Sequence, residues 1–149
     1  MTLPAVPALS AARVDHIGIA VADLDAATAF YQGMLGQPPD RVHHLPDQGI
    51  AVAMFQLPQL RIELLAPIGT VSPITDVLED HTIQAFMARN PQGGLHHVCY
   101  VVDDLDAASP PGARRLGTGT PIIGAQGRPI VFLDPLTTGG TLIELKQAA

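Results

Sequence analysis

Along residues 14–21 apolar positions alternate with small or polar ones. Ile17, Ile19 and Val21 fall on one face, and His16, Gly18 and Ala20 on the other. A period of two predicts a strand. The first face can pack under a helix; the second is small residues around a single His and leaves room beside it. The period then becomes helical over about residues 25–34, with Ala26, Ala29, Phe30 and Met34 at helical spacing. Asp23 or Asp25 can cap this helix and Gly36 can stop it. Gln37 to Gln48, rich in Pro and His, reads as a crossover loop with room for a short strand near Arg41 to Leu45. Two strands follow at about 50–56 and 60–66, joined by the turn Leu57-Pro58-Gln59. In the second of them Leu60, Ile62 and Leu64 face one way, and Arg61, Glu63 and Leu65 the other. Residues 67–94 form a bridge with helical candidates at about 73–79 and 81–89, closed by Asn90-Pro91-Gln92-Gly93-Gly94.

The plan then starts again. Strands are predicted at 95–102 and near 120–124, 128–133 and 140–146, with a helix start at Asp104. Val14 to Ala27 and Leu95 to Ala108, aligned at an offset of 81, share seven of fourteen residues. The same offset pairs Leu35-Gly36 with Leu116-Gly117, and Ile62-Glu63-Leu64 with Ile143-Glu144-Leu145. Such a repeat governs the architecture. It predicts one domain over residues 13–149, with a first module at about 13–67, a bridge at 68–94 and a second module at 95–147. Residues 1–12 read as a flexible Pro/Ala tail. One asymmetry stands out: Pro110-Pro111-Gly112 falls where the first copy has Ala29-Phe30-Tyr31, so the second helix must be shortened or broken.

Composition narrows the class. The 149 residues are 47% apolar and only 15% charged, yet no apolar run nears the ~20 residues of a membrane span. A net charge of −6 with eight Lys and Arg offers no basic stripe for nucleic acid. A lone Cys forms no intramolecular disulfide, which fits a reducing interior. Residues 1–12 lack the charged start and apolar core of a signal peptide. These features together predict a cytoplasmic protein with neither nucleic acid nor membrane as partner.

Chemistry enters through the repeat. His16 and Glu63 lie 47 positions apart, as do His97 and Glu144. Strand alternation puts His97 with Leu95 and Cys99 on one face, and His96 with Val98, Tyr100 and Val102 on the other. The offset aligns His97, not His96, with His16. A single His or Glu on a strand more often has a structural role, at an edge, facing solvent or paired to Arg61. Four at a duplicated spacing are another matter, because duplicate halves tend to associate about a pseudo-twofold axis and bring both pairs to one site. Glu buried among apolar neighbours costs several kcal/mol unless paired, protonated or metal-bound. Two imidazoles and two carboxylates suit a divalent ion such as Co, Ni, Mn or Zn and leave positions open for substrate. His16, Glu63, His97 and Glu144 are therefore the predicted metal ligands. His43, His44 and His81 are expected in loops or helix ends facing solvent, His96 in the backing layer, and Cys99 in the core rather than as a nucleophile. The glycines at 117, 119, 124 and 127 make no P-loop, since no Gly-Lys-Ser/Thr follows. Gly124 to Arg128 is expected to line a pocket, with Arg128 as an anion contact.

The arrangement resembles the vicinal-oxygen-chelate (glyoxalase) superfamily, and within it the methylmalonyl-CoA epimerases. The likeness runs in order over roughly residues 14–147. It is carried by Asp15 to Val21, Phe30-Tyr31 with Leu35-Gly36, Asp47-Gln48-Gly49-Ile50, Ile62 to Pro67, Ser72-Pro73-Ile74, Gly94 to Val98, Gly124 to Pro129 and Gly139 to Leu145. It implies an α+β fold of two paired βαβββ modules, forming curved mixed sheets around one metal site. It implies metal positions at His16, Glu63, His97 and Glu144, an acyl-CoA thioester as partner, and a homodimer. The implied reaction is epimerisation at the carbon between a thioester and a carboxylate, with the metal stabilising an enolate while one base removes the proton and an acid returns it on the other face.

Three positions depart from the family's pattern. Val52 stands where some members carry a catalytic Glu, and Val cannot shuttle protons; its job falls to Glu63 beside Glu144, to a water or another group, or the reaction differs. Gln126 stands where many have His, and Asp134 also often replaces a His; both bear on contacts to the CoA portion, for which Gln126 and Arg128 are the candidate residues. Glyoxalase I is the rival enzyme, sharing the His/Glu/His/Glu site. An extradiol dioxygenase could use His16, His97 and Glu144, but Glu63 would crowd its oxygen site. A metal-free, non-catalytic small-molecule binder has no reason to keep four ligands.

Overall fold

The alternation at the start of each half builds the centre of a single sheet. In the computed structural model, which describes residues 13–108 and 110–149, eight strands form. They are β1 (Arg13–Ala20), β2 (Arg41–Leu45), β3 (Ile50–Gln56), β4 (Arg61–Pro67), β5 (Gly94–Val102), β6 (Ile122–Ile123), β7 (Pro129–Leu133) and β8 (Ile143–Gln147). The expected tail, residues 1–12, lies outside the described residues. The strand order is β2-β3-β4-β1-β5-β8-β7-β6. β1 and β5 run antiparallel at the middle, each with a parallel neighbour, β4 or β8. The 81-residue offset is visible in the register: Gly18 pairs with Glu63, and Cys99 with Glu144. The two halves are thus related by a pseudo-twofold axis through the β1–β5 seam.

Each face has its own packing. On the outer face Ile17, Ile19 and Val21 join Ala53, Phe55, Ile62 and Leu64 beneath α1 (Leu24–Leu35). Asp23 caps this helix, its Oδ1 accepting from the Ala26 N–H at 3.1 Å, and Gly36 ends it at φ 71°, the left-handed conformation Gly adopts without steric cost. The stripe that packs is Leu24, Ala27, Tyr31 and Leu35; Phe30 and Met34, which shared the expected helical spacing, are exposed.

The second module has no counterpart helix among its described residues. Pro110 and Pro111 lack the N–H that would continue a helix begun at Asp104. Leu105 instead donates its N–H to Gln147 Oε1 at 2.7 Å, and the turn packs Leu105 and Ala108 against Val102, Val131, Leu133 and Leu145. The βαβββ plan therefore holds for the first half, and the second substitutes a turn for its helix.

The inner face is cupped by the bridge. Its helices are shorter than expected: α2 (Thr75–Leu78) and α3 (Ile83–Arg89). Thr82 sets the start of α3, its Oγ1 accepting from the Ala85 N–H at 3.2 Å. Ile83, Phe86 and Met87 cover Ala20, Ile50, Val52 and Leu65, while Leu78 covers Ile130, Phe132 and Leu142. Between these two apolar clusters the four residues His16, Glu63, His97 and Glu144 are buried. His43 and His44, expected in a loop, lie in β2. His43 is half-buried opposite Val52, and its Nε2 is buried without a partner. Among the described residues no helix is long and apolar enough to cross a membrane.

Candidate metal centre

The seam places the two histidines. His16 on β1 pairs across it with Cys99 on β5, and Gly18 pairs with His97, the same relation seen from either half. Gly18 leaves the room that the small-residue face suggested, and the His97 ring fills it. A Cβ at position 18 would stand 2.1 Å from His97 Cε1 and 2.4 Å from its Nδ1.

Four donor atoms then converge. The two Nε2 atoms are 3.1 Å apart. Glu144 Oε1 lies 3.1 Å from each of them, and Glu63 Oε1 lies 3.4 Å from that of His16 and 3.3 Å from that of His97. Glu63 comes from β4 and Glu144 from β8, on opposite sides of the central pair. Two imidazole nitrogens with two carboxylates suit a borderline or hard divalent cation. His16, Glu63 and His97 also present donor atoms within 4.8 Å of one another, so the donor set fits such an ion.

A feature the alternation rule misses sits just before each histidine. β1 and β5 each carry a β-bulge, at Asp15 and at His96, positions related by the 81-residue offset. The extra residue breaks the alternation and turns its side chain toward the neighbouring His. Asp15 Oδ2 accepts from His16 Nδ1 at 2.7 Å. In the other half His96 Nε2 lies 2.7 Å from the His81 carbonyl, which can only accept, so this nitrogen carries the proton. His96 Nδ1 is then an acceptor for the Nδ1–H of His97, 2.9 Å away. Both bulge residues thus hold the proton of their histidine on Nδ1 and leave Nε2 free for a ligand, the arrangement typical behind metal-bound imidazoles. His96 therefore lies on the cupped inner face, against α3 and edge-on to Phe86, lining the cavity beside His97; it is not in the backing layer where alternation places it, because the bulge turns it inward. Asp15 was not singled out in the sequence; its place before His16, matching His96 before His97, was the available signal.

Electrostatics follow the same pairing. Burial alone would lower both histidines, but the charge of Glu63 and hydrogen bonds to Asp15 and Glu144 raise His16, and hydrogen bonds to Glu144 and Glu63 raise His97, each above the usual imidazole range. Burial would raise Glu63 and Glu144; the two histidines override it and hold both carboxyls low. Burial and the neighbouring His97 charge push His96 down to about 3, so it stays neutral. Burial, with the Glu144 charge, pushes the Cys99 thiol up to about 12. That keeps Cys99 protonated in the core, although Asp15, His16 and Cys99 also cluster.

A narrow cavity of about 40 Å³ lies over Glu63, His97 and Glu144, walled by Ile74, Leu78, Ile83, Ile130 and Phe132. His96 and His97 also line an open cleft of about 530 Å³ that runs past Phe86, Leu95 and Thr141. Val52 is packed with Ile50, Leu65 and Ile83. Gln126 and Arg128 are not brought to this cavity. Gln126 sits behind His16, its Nε2 3.4 Å from His16 Nδ1 and its Oε1 accepting from Arg61 at 3.0 Å. Arg128 donates to the carbonyls of Gln147 and Ala148. Asp134 is structural: its Oδ1 accepts from the Leu136 N–H and its Oδ2 from Arg114.

The profile of the Glyoxalase/Bleomycin resistance protein/Dioxygenase superfamily matches residues 15–132. The ethylmalonyl-CoA/methylmalonyl-CoA epimerase of Cereibacter sphaeroides is 45% identical over 139 residues, 91% of this chain and 97% of that protein. The mitochondrial methylmalonyl-CoA epimerase of Homo sapiens is 39% identical over 140 residues, 91% of this chain and 74% of that protein. Among solved structures, methylmalonyl-CoA epimerase from Mycobacterium tuberculosis superposes with a TM-score of 0.77 at 30% identity, covering 99% of this chain and 93% of that one. A methylmalonyl-CoA epimerase in complex with methylmalonyl-CoA and NH4+ does so with a TM-score of 0.77 at 30% identity, covering 92% and 94%.

Proposed function

Since the chain belongs to the Glyoxalase/Bleomycin resistance protein/Dioxygenase superfamily, and within it to the methylmalonyl-CoA epimerases, we propose that it interconverts the epimers of methylmalonyl-CoA or a similar 2-substituted malonyl thioester. The observation that carries this reading is the pair of carboxylates, Glu63 and Glu144, flanking the two histidines from opposite sides. Epimerisation requires a proton to leave one face of a carbon and return to the other, and a pseudo-twofold site supplies a carboxylate to each face.

His16, Glu63, His97 and Glu144 would hold a divalent ion, for which Co, Ni, Mn and Zn are the candidates. Such an ion supplies Lewis acidity that favours negative charge on substrate oxygens. The chain's own residues do the rest. The bulge residues Asp15 and His96 fix the imidazole tautomers. Glu144 removes the α-proton on one side, and Glu63 serves the other; with Val52 in an apolar cluster, β3 contributes no further base. Isoleucine, leucine and phenylalanine side chains around the narrow cavity keep water from the proton in transit. The same reading takes residues 13–149 as one domain of a cytoplasmic homodimer.

Metal-loaded protein incubated with one epimer in deuterated water should exchange its α-proton. Absence of exchange together with turnover of the glutathione–methylglyoxal hemithioacetal would replace this reading with the glyoxalase one. Absence of both would leave a non-catalytic binder.

A further inference from the structure

A second polar site lies on the same concave face, behind His16. Arg13, Arg41, Arg61, Arg128 and Lys146 line a cavity of about 320 Å³. These are five of the eight cationic side chains in a chain whose net charge is −6. They come from β1, β2, β4, β8 and the turn before β7, so only the fold gathers them. Asp15 is the single acidic side chain in the lining. It is occupied by Lys146, 2.9 Å away and buried, and by His16. Arg61 stands 3.9 Å from Asp15 and is one-third exposed. Arg13, Arg41 and Arg128 form no ion pair among the described residues, and residues 1–12 contain no Asp or Glu that could supply one.

Like charges gathered in one concavity repel one another and raise the local concentration of anions. An acidic chain that concentrates its few cations in this way has a pocket built for negative charge. Guanidinium forks match the paired oxygens of a phosphate, and an ammonium beside them adds a point charge. We propose that this pocket binds phosphate groups. Two sources share that chemistry. One is the nucleotide end of a CoA thioester, which rests on the function proposed above; the other is free inorganic phosphate.

The full chain is titrated calorimetrically with adenosine 3′,5′-bisphosphate and, separately, with inorganic phosphate, at low and at physiological ionic strength. The expected result is one bisphosphate bound per chain, more weakly as salt rises. Binding should fall by about tenfold in the Arg13→Gln/Arg41→Gln double variant and further when Arg128→Gln is added, each change removing a charge-assisted contact. Arg13 and Arg41 are exposed, so the double variant keeps its fold. If the nucleotide is the source, the variants also raise KM for a CoA thioester but not for the pantetheine thioester that lacks the nucleotide. Inorganic phosphate binding as tightly as the bisphosphate, with KM unchanged, assigns the pocket to free phosphate and overturns the nucleotide source. Wild-type protein that binds neither, or variants that bind both as the wild type does, overturns the pocket itself. The binding measurements need no turnover. A chain that binds the bisphosphate yet exchanges no α-proton refutes the proposed reaction and leaves the pocket standing.

Discussion

A single methyl group at position 18 should disrupt the candidate metal centre. Its Cβ would lie 2.1, 2.4 and 2.6 Å from Cε1, Nδ1 and Nε2 of His97, where carbon atoms in contact ordinarily stand about 3.5 Å apart. The ring must therefore retreat by about 1 Å or more. Its Nδ1 is tied to His96 at 2.9 Å and its ring stands perpendicular to that of Phe132, with centroids 6.1 Å apart. A retreat breaks the first contact and carries Nε2 away from Glu63 and Glu144. Gly18 does not have a positive φ, so backbone strain plays no part and the effect belongs to the ring alone. Displacing one of two imidazoles should weaken metal binding by about 100-fold, the upper end of what loss of ligand orientation costs. Overpacking should destabilise the metal-free chain by about 1–3 kcal/mol. Competition for Zn against a chromophoric chelator gives the affinity, the visible spectrum of the Co-loaded protein gives the coordination, and a thermal melt gives the stability. A Gly18→Ala variant with wild-type affinity and wild-type Tm would show that the His97 ring does not rest on Gly18.

Other changes test neighbouring parts of the account. Gly33→Ala, in the exposed part of α1 where an added Cβ meets nothing within 4 Å, should stabilise by up to about 1 kcal/mol; a lower Tm would contradict the helix. Asp15→Ala removes the acceptor from His16 Nδ1 and leaves Lys146 without its counter-ion, so metal affinity should drop by roughly 10- to 100-fold, and unchanged affinity would refute the tautomer argument. Raised His16 and His97 values stabilise the metal-free fold below about pH 6.5, and that stability is lost as pH rises through the folded values. Depressed Glu63 and Glu144 values stabilise it above about pH 4.3, and that is lost as pH falls through them. Metal binding must displace the imidazole protons, so affinity measured between pH 5.5 and 7.5 should climb with pH while protons are released; a flat profile would exclude the histidines as donors.

Much of this site could be read from the chain because a strand's period of two ties side-chain direction to sequence parity. His16, Gly18, Glu63 and Glu144 face inward as alternation requires, and the 81-residue offset separated His97 from His96. Alternation failed at Asp15 and His96 because a bulge adds a residue to one strand only, and neither position carries the Gly that often marks one. The packed stripe of α1 was missed because Ala26, Phe30 and Met34 satisfy helical spacing as well as Leu24, Ala27 and Tyr31 do; only contact with the sheet separates them. The loss of the second helix was legible from two prolines that cannot donate. The cationic pocket was not, beyond Arg128, since Arg13 and Lys146 are 133 positions apart and meet through strand order alone.

The four donors stand on four adjacent strands, β4, β1, β5 and β8, two from each half. An ion held there is a non-covalent staple across the β1–β5 seam. Ligand linkage at a hundredfold excess over Kd is worth about 2.7 kcal/mol, and here that energy opposes one motion in particular, the parting of the halves. Amide hydrogens of β1 and β5 should exchange more slowly in loaded protein, while those of the outermost strands β2 and β6, remote from the staple, keep their pace. A chelator would therefore act on this molecule as a reducing agent acts on a disulfide-locked one, loosening the join between two similar halves.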